Sequence, residues 1–250
     1  MEPTTSPEIS PEKMDFRAYS ISWNLTKRCN LNCDHCYLDA EFRGGLKTDE
    51  LNTEECFRVI DQIAEVNPNA FLILTGGEPL LRPDIYEIIR YAADKKFMVV
   101  LGTNGTMINR VNAEKIKAAG AHGVGISIDS MNPDKHNKFR GVDKAWEHSM
   151  EAFDILNEVG VDFLVQMSVS DMNYKEIPDV VEFTEKIGAI AFNLYFLVCT
   201  GRGQGNTDIS NAAYEEALKM LYDQQMKYKG KLMINSKCAP QYKRVVYEND

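Results

Sequence analysis

Short apolar runs alternate with longer amphipathic stretches along almost the whole chain. Strand-like runs fall at residues 20–25, 70–75, 97–101, 124–128, 163–169 and 192–198. The stretches between them carry apolar residues at helical spacing and predict helices over 52–66, 83–95, 112–119, 145–159, 176–187 and 211–229. Ile85, Ile88, Ile89 and Ala92 show that spacing most clearly. Runs such as AFLILT are apolar throughout, which suits a parallel sheet covered on both faces. Strand and helix in strict alternation imply βα units with right-handed crossovers. The expected class is therefore α/β with parallel strands. Six units are too few for a closed eight-stranded barrel, so a partial barrel or an open doubly wound sheet fits the pattern.

In either architecture, ligands sit beyond the C-terminal ends of the strands. Unusual residues should then follow strands, and they do. A cysteine-rich loop follows the first run, Gly76-Gly77-Glu78-Pro79 the second, and Gly102-Thr103-Asn104-Gly105 the third. Ser127 and Asp129 end the fourth run, and Thr200-Gly201-Arg202-Gly203 follows the sixth. Five strand ends would thus converge on one mouth.

Composition narrows the class of function. The 250 residues are 44% hydrophobic and 26% charged, the profile of a folded globular chain. A net charge of −9 argues against nucleic acid, whose phosphates an acidic surface repels. Residues 1–15, rich in Pro, Ser, Thr and Glu, read as a disordered tail without a signal peptide. No stretch approaches the roughly 20 apolar residues that span a bilayer. Six cysteines in a chain of this kind fit a reducing cytosol better than a disulfide framework.

Cys29, Cys33 and Cys36 supply three thiols from one short loop. Three protein ligands on a four-iron cluster leave one iron open to a small molecule. A structural zinc site would need four ligands. A thioredoxin-like pair would not require Cys29, and covalent haem attachment would need His where Tyr37 stands.

CNLNCDHCY (residues 29–37) followed by GGEP (residues 76–79) resembles the radical S-adenosylmethionine superfamily. The resemblance implies a partial (β/α)6 TIM-like barrel over 16–230 with a 4Fe-4S cluster on Cys29, Cys33 and Cys36. It also implies S-adenosylmethionine as cofactor, bound through its amino and carboxylate groups to the open iron and split to a 5′-deoxyadenosyl radical. By position, it implies that Gly77 and Glu78 serve the cofactor's methionine amino group and that His35 packs near adenine. Ser127 would contact its sugar or methionine portion, Arg140 would pair with its carboxylate, and Leu197 would touch adenine. Ordinary turn, core or surface roles compete at each of these positions.

Residues 231–250 resemble the start of a C-terminal extension that binds auxiliary clusters, with Cys238 as its candidate ligand. The further cysteines such a cluster needs do not follow. FLVCTGRG, NAAYEEALKMLYD and KCAPQYKR resemble the tetrapyrrole-modifying branch of the superfamily, which includes didecarboxysiroheme deacetylase and the enzyme of d-type haem formation. That resemblance implies removal of acetate or propionate side chains from a siroheme-derived macrocycle in heme biosynthesis. Arg202 would reach a substrate carboxylate, and a ferredoxin or flavodoxin would supply the electron. A peptide maturase and a non-catalytic iron–sulfur electron carrier are the alternatives. Cys56 is expected in the core, and Cys199 stays ambiguous.

Overall fold

The computed structural model describes residues 19–42, 50–197, 200–204 and 209–249. The tail expected over 1–15 and the residue Cys199 lie outside the described residues. Strands β1 (Ser20–Asn24), β4 (Phe71–Thr75), β5 (Met98–Thr103), β6 (Gly123–Ser127), β7 (Phe163–Val169), β8 (Ala191–Phe196) and β9 (Met233–Lys237) form one sheet in that order. Every neighbouring pair is parallel. The curled sheet is a partial barrel, as expected. Two short strands, β2 (Arg28–Cys29) and β3 (Glu41–Phe42), make a separate parallel ladder that closes the cysteine loop at its base.

Helices α1 (Thr53–Val66), α2 (Ile85–Asp94), α3 (Arg110–Ala118), α5 (Ala145–Val159), α6 (Ile177–Lys186) and α7 (Asn211–Lys227) follow the predicted periodicity to within a few residues. Side-chain caps fix the starts of three of them, α1, α3 and α7. Asn52 and Glu55 form a reciprocal capping box on α1, and Ser210 caps α7 through the Ala213 amide. On α2, Ile85, Ile88, Ile89 and Ala92 are all fully buried, so the stripe seen in the sequence is the face laid on the sheet. No helix among the described residues is long and apolar enough to cross a membrane.

Three elements lie beyond what the periodicity predicts. Helix α4 (Pro133–Arg140) buries His136, Phe139 and Arg140, so its inward face carries two polar residues and no apolar stripe marks it. Strand β9 buries only Ile234, and α8 (Tyr242–Asn249) only Val245. Within the stretch expected to open an extension, Met233–Lys237 adds a seventh strand to the same sheet. Helix α8 returns onto α7, where Arg244 pairs with Glu215 at 2.5 Å and the Tyr222 hydroxyl donates to the Asn249 carbonyl.

Because all seven strands run the same way, their C-terminal ends share one rim. The cysteine loop leaves β1, the Gly76–Gly77 turn leaves β4, Asn104 follows β5, Asp129 follows β6 and Cys238 follows β9. Beneath them lies an apolar core in which Leu74 of β4 is fully buried between β1 and β5. Leu74→Ala should cost about 2–5 kcal/mol, the usual range for such a cavity. Urea unfolding should show a lower midpoint with an unchanged slope, and a cost under 1 kcal/mol would remove Leu74 from the core.

Candidate metal centre

The cysteine loop has little core of its own. Cys29, Leu31, Cys33, Ala40 and Ala145 form a small buried cluster apart from the main one. The loop takes its shape from two strand ends and a helix C-terminus that press on its backbone. Gly77 lies so close that a Cβ there would stand 2.2 Å from the Arg28 carbonyl oxygen. The Gly77 and Glu78 amides donate to the carbonyls of Thr26 and Arg28 at 2.7 and 2.8 Å. Beyond β6, Gly141 caps α4, and a Cβ there would meet the Asn32 carbonyl at 2.3 Å. The Asn32 and Asp34 amides in turn donate to Arg140 and Phe139 carbonyls. Beyond β8, Gly201 has φ +59°, and its Cβ would stand 2.4 Å from the Cys36 carbonyl. Contacts this short exclude any side chain.

Arg202 completes the clasp. Its amide donates to Cys36 O at 3.1 Å, its Nε to Cys33 O at 3.0 Å, and its terminal nitrogen to Ala40 O at 2.6 Å. The sequence suggests a substrate carboxylate for this arginine. Its Nε and one terminal nitrogen turn inward on the loop carbonyls, with Asp39 as its only anionic partner among the described residues, while the other terminal nitrogen is buried without a partner.

Each thiol of the loop meets a donor. Leu31 N lies 3.4 Å from Cys29 Sγ, and Asn104 Nδ2 lies 4.0 Å from it. Ala40 N lies 3.3 Å from Cys36 Sγ, and an Arg140 guanidinium nitrogen lies 3.8 Å from Cys33 Sγ. Burial pushes the Cys29 thiol up to about 12 and raises Cys33 as well. Bound iron would reverse this, because a coordinating thiol gives up its proton outright. Among the described residues, no three His, Cys, Asp or Glu side chains close on a single metal ion. A cubic cluster takes its ligands at separate corners, and the donor set fits it: three thiols on one loop, each with an N–H to stabilise sulfur charge.

The other positions singled out in the sequence divide. Glu78 is fully buried, and its carboxylate accepts from Leu80 N, Thr103 Oγ1 and Asn104 N at 2.8–3.0 Å. Burial raises its pKa, and those hydrogen bonds oppose the rise. Asn104 carries the link onward to Asn30 at 2.8 Å, so the β4 and β5 ends are tied to the cysteine loop through Glu78. His35 stacks on Phe139 with ring centroids 4.1 Å apart, and its buried Nδ1 has no partner. Burial, then Arg140, hold its pKa well below the ordinary value, so the ring is neutral. Arg140 is buried against Asp129 at 2.6 Å, and its Nε has no partner. Ser127 is half-buried at the end of β6, in register with Gln166, and Leu197 is half-buried just past β8.

Cys56 is a core residue, as expected. Cys238 is exposed with φ +58° directly after β9, which puts it on the same rim as the cysteine loop. Asp129 is the functional candidate whose role the sequence leaves blank. Its only signal there is an acidic residue directly after the buried run VGISI.

Residues 23–184 match the model of the family described as the Radical SAM superfamily. The AdoMet-dependent heme synthase of Methanosarcina barkeri is 38% identical over 226 residues, which are 90% of this chain and 63% of that protein. The Fe-coproporphyrin III synthase of the same organism is 34% identical over 83% of this chain and 51% of its own length. The chain thus spans between half and two thirds of these relatives. Streptococcus suis SuiB bound to its precursor peptide SuiA superposes with a TM-score of 0.77 at 16% identity, over 93% of this chain and 52% of that one. At that identity the likeness is one of fold.

Two predictions follow from the geometry. Gly77→Ala and Gly201→Ala should each displace the cysteine loop, lowering iron and sulfide content after anaerobic reconstitution to under about half that of the parent, beyond the roughly 1–3 kcal/mol of overpacking. Gly188→Ala, whose Cβ meets nothing within 4 Å, is the control; it should load fully, with only the left-handed penalty of about 1–2 kcal/mol. Equal loading in all three would refute the clasp.

The second concerns acid. His136 is buried, accepts from the Asp129 amide and is held down to about 3, chiefly by burial and then by Arg140. The unfolded chain binds that proton near 6.5, so stability should fall as pH drops from about 6.5 towards 3, by up to about 1.4 kcal/mol per unit for this residue. Urea midpoints of His136→Gln should therefore decline less steeply between about pH 6 and 4. Parallel curves for variant and parent would contradict this.

Proposed function

The chain belongs to the radical SAM superfamily, whose chemistry requires a 4Fe-4S cluster and S-adenosylmethionine. On that premise we propose that it removes carboxylate-bearing side-chain carbon, from acetate or propionate groups, of an iron tetrapyrrole in heme biosynthesis. The observation that carries the cluster assignment is the three-thiol loop, each sulfur of which faces an N–H donor. The relatives named AdoMet-dependent heme synthase and Fe-coproporphyrin III synthase support the substrate class, and their greater length makes the whole reaction part of the proposal.

Cys29, Cys33 and Cys36 would hold the cluster and leave one iron for the cofactor. When bound, the cluster supplies the electron that cleaves S-adenosylmethionine to methionine and a 5′-deoxyadenosyl radical, which takes a hydrogen atom from the substrate. The chain's own residues position and shield. Gly77 and Glu78 hold the β4 turn against the loop, where the backbone can meet the cofactor's amino group. The unpartnered Arg140 Nε is the donor for its carboxylate, and a charge-assisted bond there is worth more than a neutral one. His35, neutral and stacked, offers an adenine-side surface with Leu197, while Ser127 serves the sugar side. Cys238 belongs to a second cluster only with ligands from further chain. A ferredoxin or flavodoxin in a reducing cytosol is the electron donor that suits a chain whose described cysteines are all free.

The test is anaerobic incubation of the reconstituted protein with dithionite, S-adenosylmethionine and one of three substrates: didecarboxysiroheme, Fe-coproporphyrin III or a ribosomal precursor peptide. Mass spectrometry follows 5′-deoxyadenosine and the substrate mass. A tetrapyrrole should raise deoxyadenosine at least about tenfold and lose side-chain mass. Cys29→Ala, Cys33→Ala and Cys36→Ala should abolish both signals. Full cleavage in any cysteine variant would overturn the cluster assignment, and turnover with peptide alone would make the protein a maturase.

A further inference from the structure

Arg140 is used by the fold in a way that the cofactor assignment does not need. One terminal nitrogen faces Cys33 Sγ at 3.8 Å, the other faces Asp129 at 2.6 Å, and the main-chain carbonyl accepts from Asn32 of the cysteine loop at 3.1 Å. Asp129 itself is fixed from three directions. Its Oδ1 accepts from Ser168 N at 2.9 Å, its amide donates to His136 Nδ1 at 3.2 Å, and its carbonyl accepts from Asn173 Nδ2 at 2.8 Å. Both side chains are buried, at 1% and 8% exposure, so water does not screen their charges from the sulfur. An ion pair placed on a ligand sulfur acts on whatever charge that sulfur carries.

Resting on the cluster assignment above, we propose that Arg140 and its buried counter-ion Asp129, placed together beside Cys33, set the potential at which the cluster accepts its electron. Reduction takes one electron per cluster from dithionite, each ion of which gives two electrons as it is oxidised with two waters to two bisulfite and two protons, and leaves the cluster one charge more negative with its iron and sulfide unchanged. A cation beside the sulfur stabilises that extra charge, and an anion behind the cation offsets part of the gain. Hydrogen bonds to sulfur and local charge are the terms by which proteins tune such clusters. The two residues therefore act with opposite sign. A pair that merely pins α4 to the sheet would have no such signature.

The experiment is a mediated redox titration, followed by electron paramagnetic resonance, on the anaerobically reconstituted chain and three variants: Asp129→Asn, Arg140→Gln and Arg140→Lys. Asp129→Asn should make reduction easier and Arg140→Gln harder, each by roughly tenfold in the one-electron equilibrium, about 59 mV. Arg140→Lys should stay above Arg140→Gln, because it keeps the charge. Shifts of one sign in both, or no shift with iron and sulfide retained, would overturn the proposal. If Asp129→Asn does not fold or load, the Lys and Gln variants decide: Lys above Gln supports it, and equal potentials refute it. Folded variants that all lack iron would show a purely structural pair and also refute it. Failure of the parent chain to load iron and sulfide would instead sink the cluster assignment.

Discussion

Close backbone contact between the cysteine loop and three other segments, the turns after β4 and β8 and the C-terminus of α4, is the constraint on which the rest of the structure depends. Gly77, Gly141 and Gly201 leave no room for a Cβ against the carbonyls of Arg28, Asn32 and Cys36. A loop of this length, with five residues in its own small core, would otherwise be free to adopt many shapes. The parallel sheet removes that freedom: it delivers every C-terminal strand end to one rim, so contacts far apart in sequence converge on residues 26–37. The sulfurs are thus positioned by the barrel and not by the loop itself. This is preorganisation, in which ordering is supplied by folding before any ligand arrives.

Charge is distributed around the clasp with similar economy. Glu78, Asp129 and Arg140 are buried within a few residues of the sulfurs, and each has specific partners. Burying ions stabilises nothing by itself, since desolvation commonly offsets the attraction. What the arrangement yields is specificity of position: Glu78 ties the β4 and β5 ends together, and Asp129 ties β6, β7 and α4 together. The neutral His35 and His136 fit between them without adding charge. The rim as a whole is therefore polar and tied together by named contacts, while His35 Nδ1 and Arg140 Nε remain buried without partners.

Much of this was legible in the amino-acid sequence, for identifiable reasons. The six apolar runs and six amphipathic helices follow burial on both faces of a parallel sheet, and periodicity reports burial. The cysteine loop and GGEP stand out because their spacing is rare. The elements that periodicity misses, α4, β9 and α8, bury one to three residues each, and α4 buries His136 and Arg140 for the sake of the site. Arg202 shows another limit. A sequence places it after β8 and near the mouth, but whether its fork turns outward to a ligand or inward to Cys33 O and Ala40 O is decided by local backbone geometry. Asp129 was visible only as an acidic residue after a strand, because its partner lies eleven positions on, in a helix without an apolar stripe.

The central claim is that the clasped loop supplies three ligands to a cubic cluster and leaves one iron open. Mössbauer spectroscopy of the anaerobically reconstituted chain, with and without S-adenosylmethionine, addresses it directly. The account predicts about four iron and four sulfide per chain, with one iron whose signal shifts when the cofactor is added. One metal ion per chain without sulfide, or a spectrum that the cofactor leaves unchanged, would contradict it.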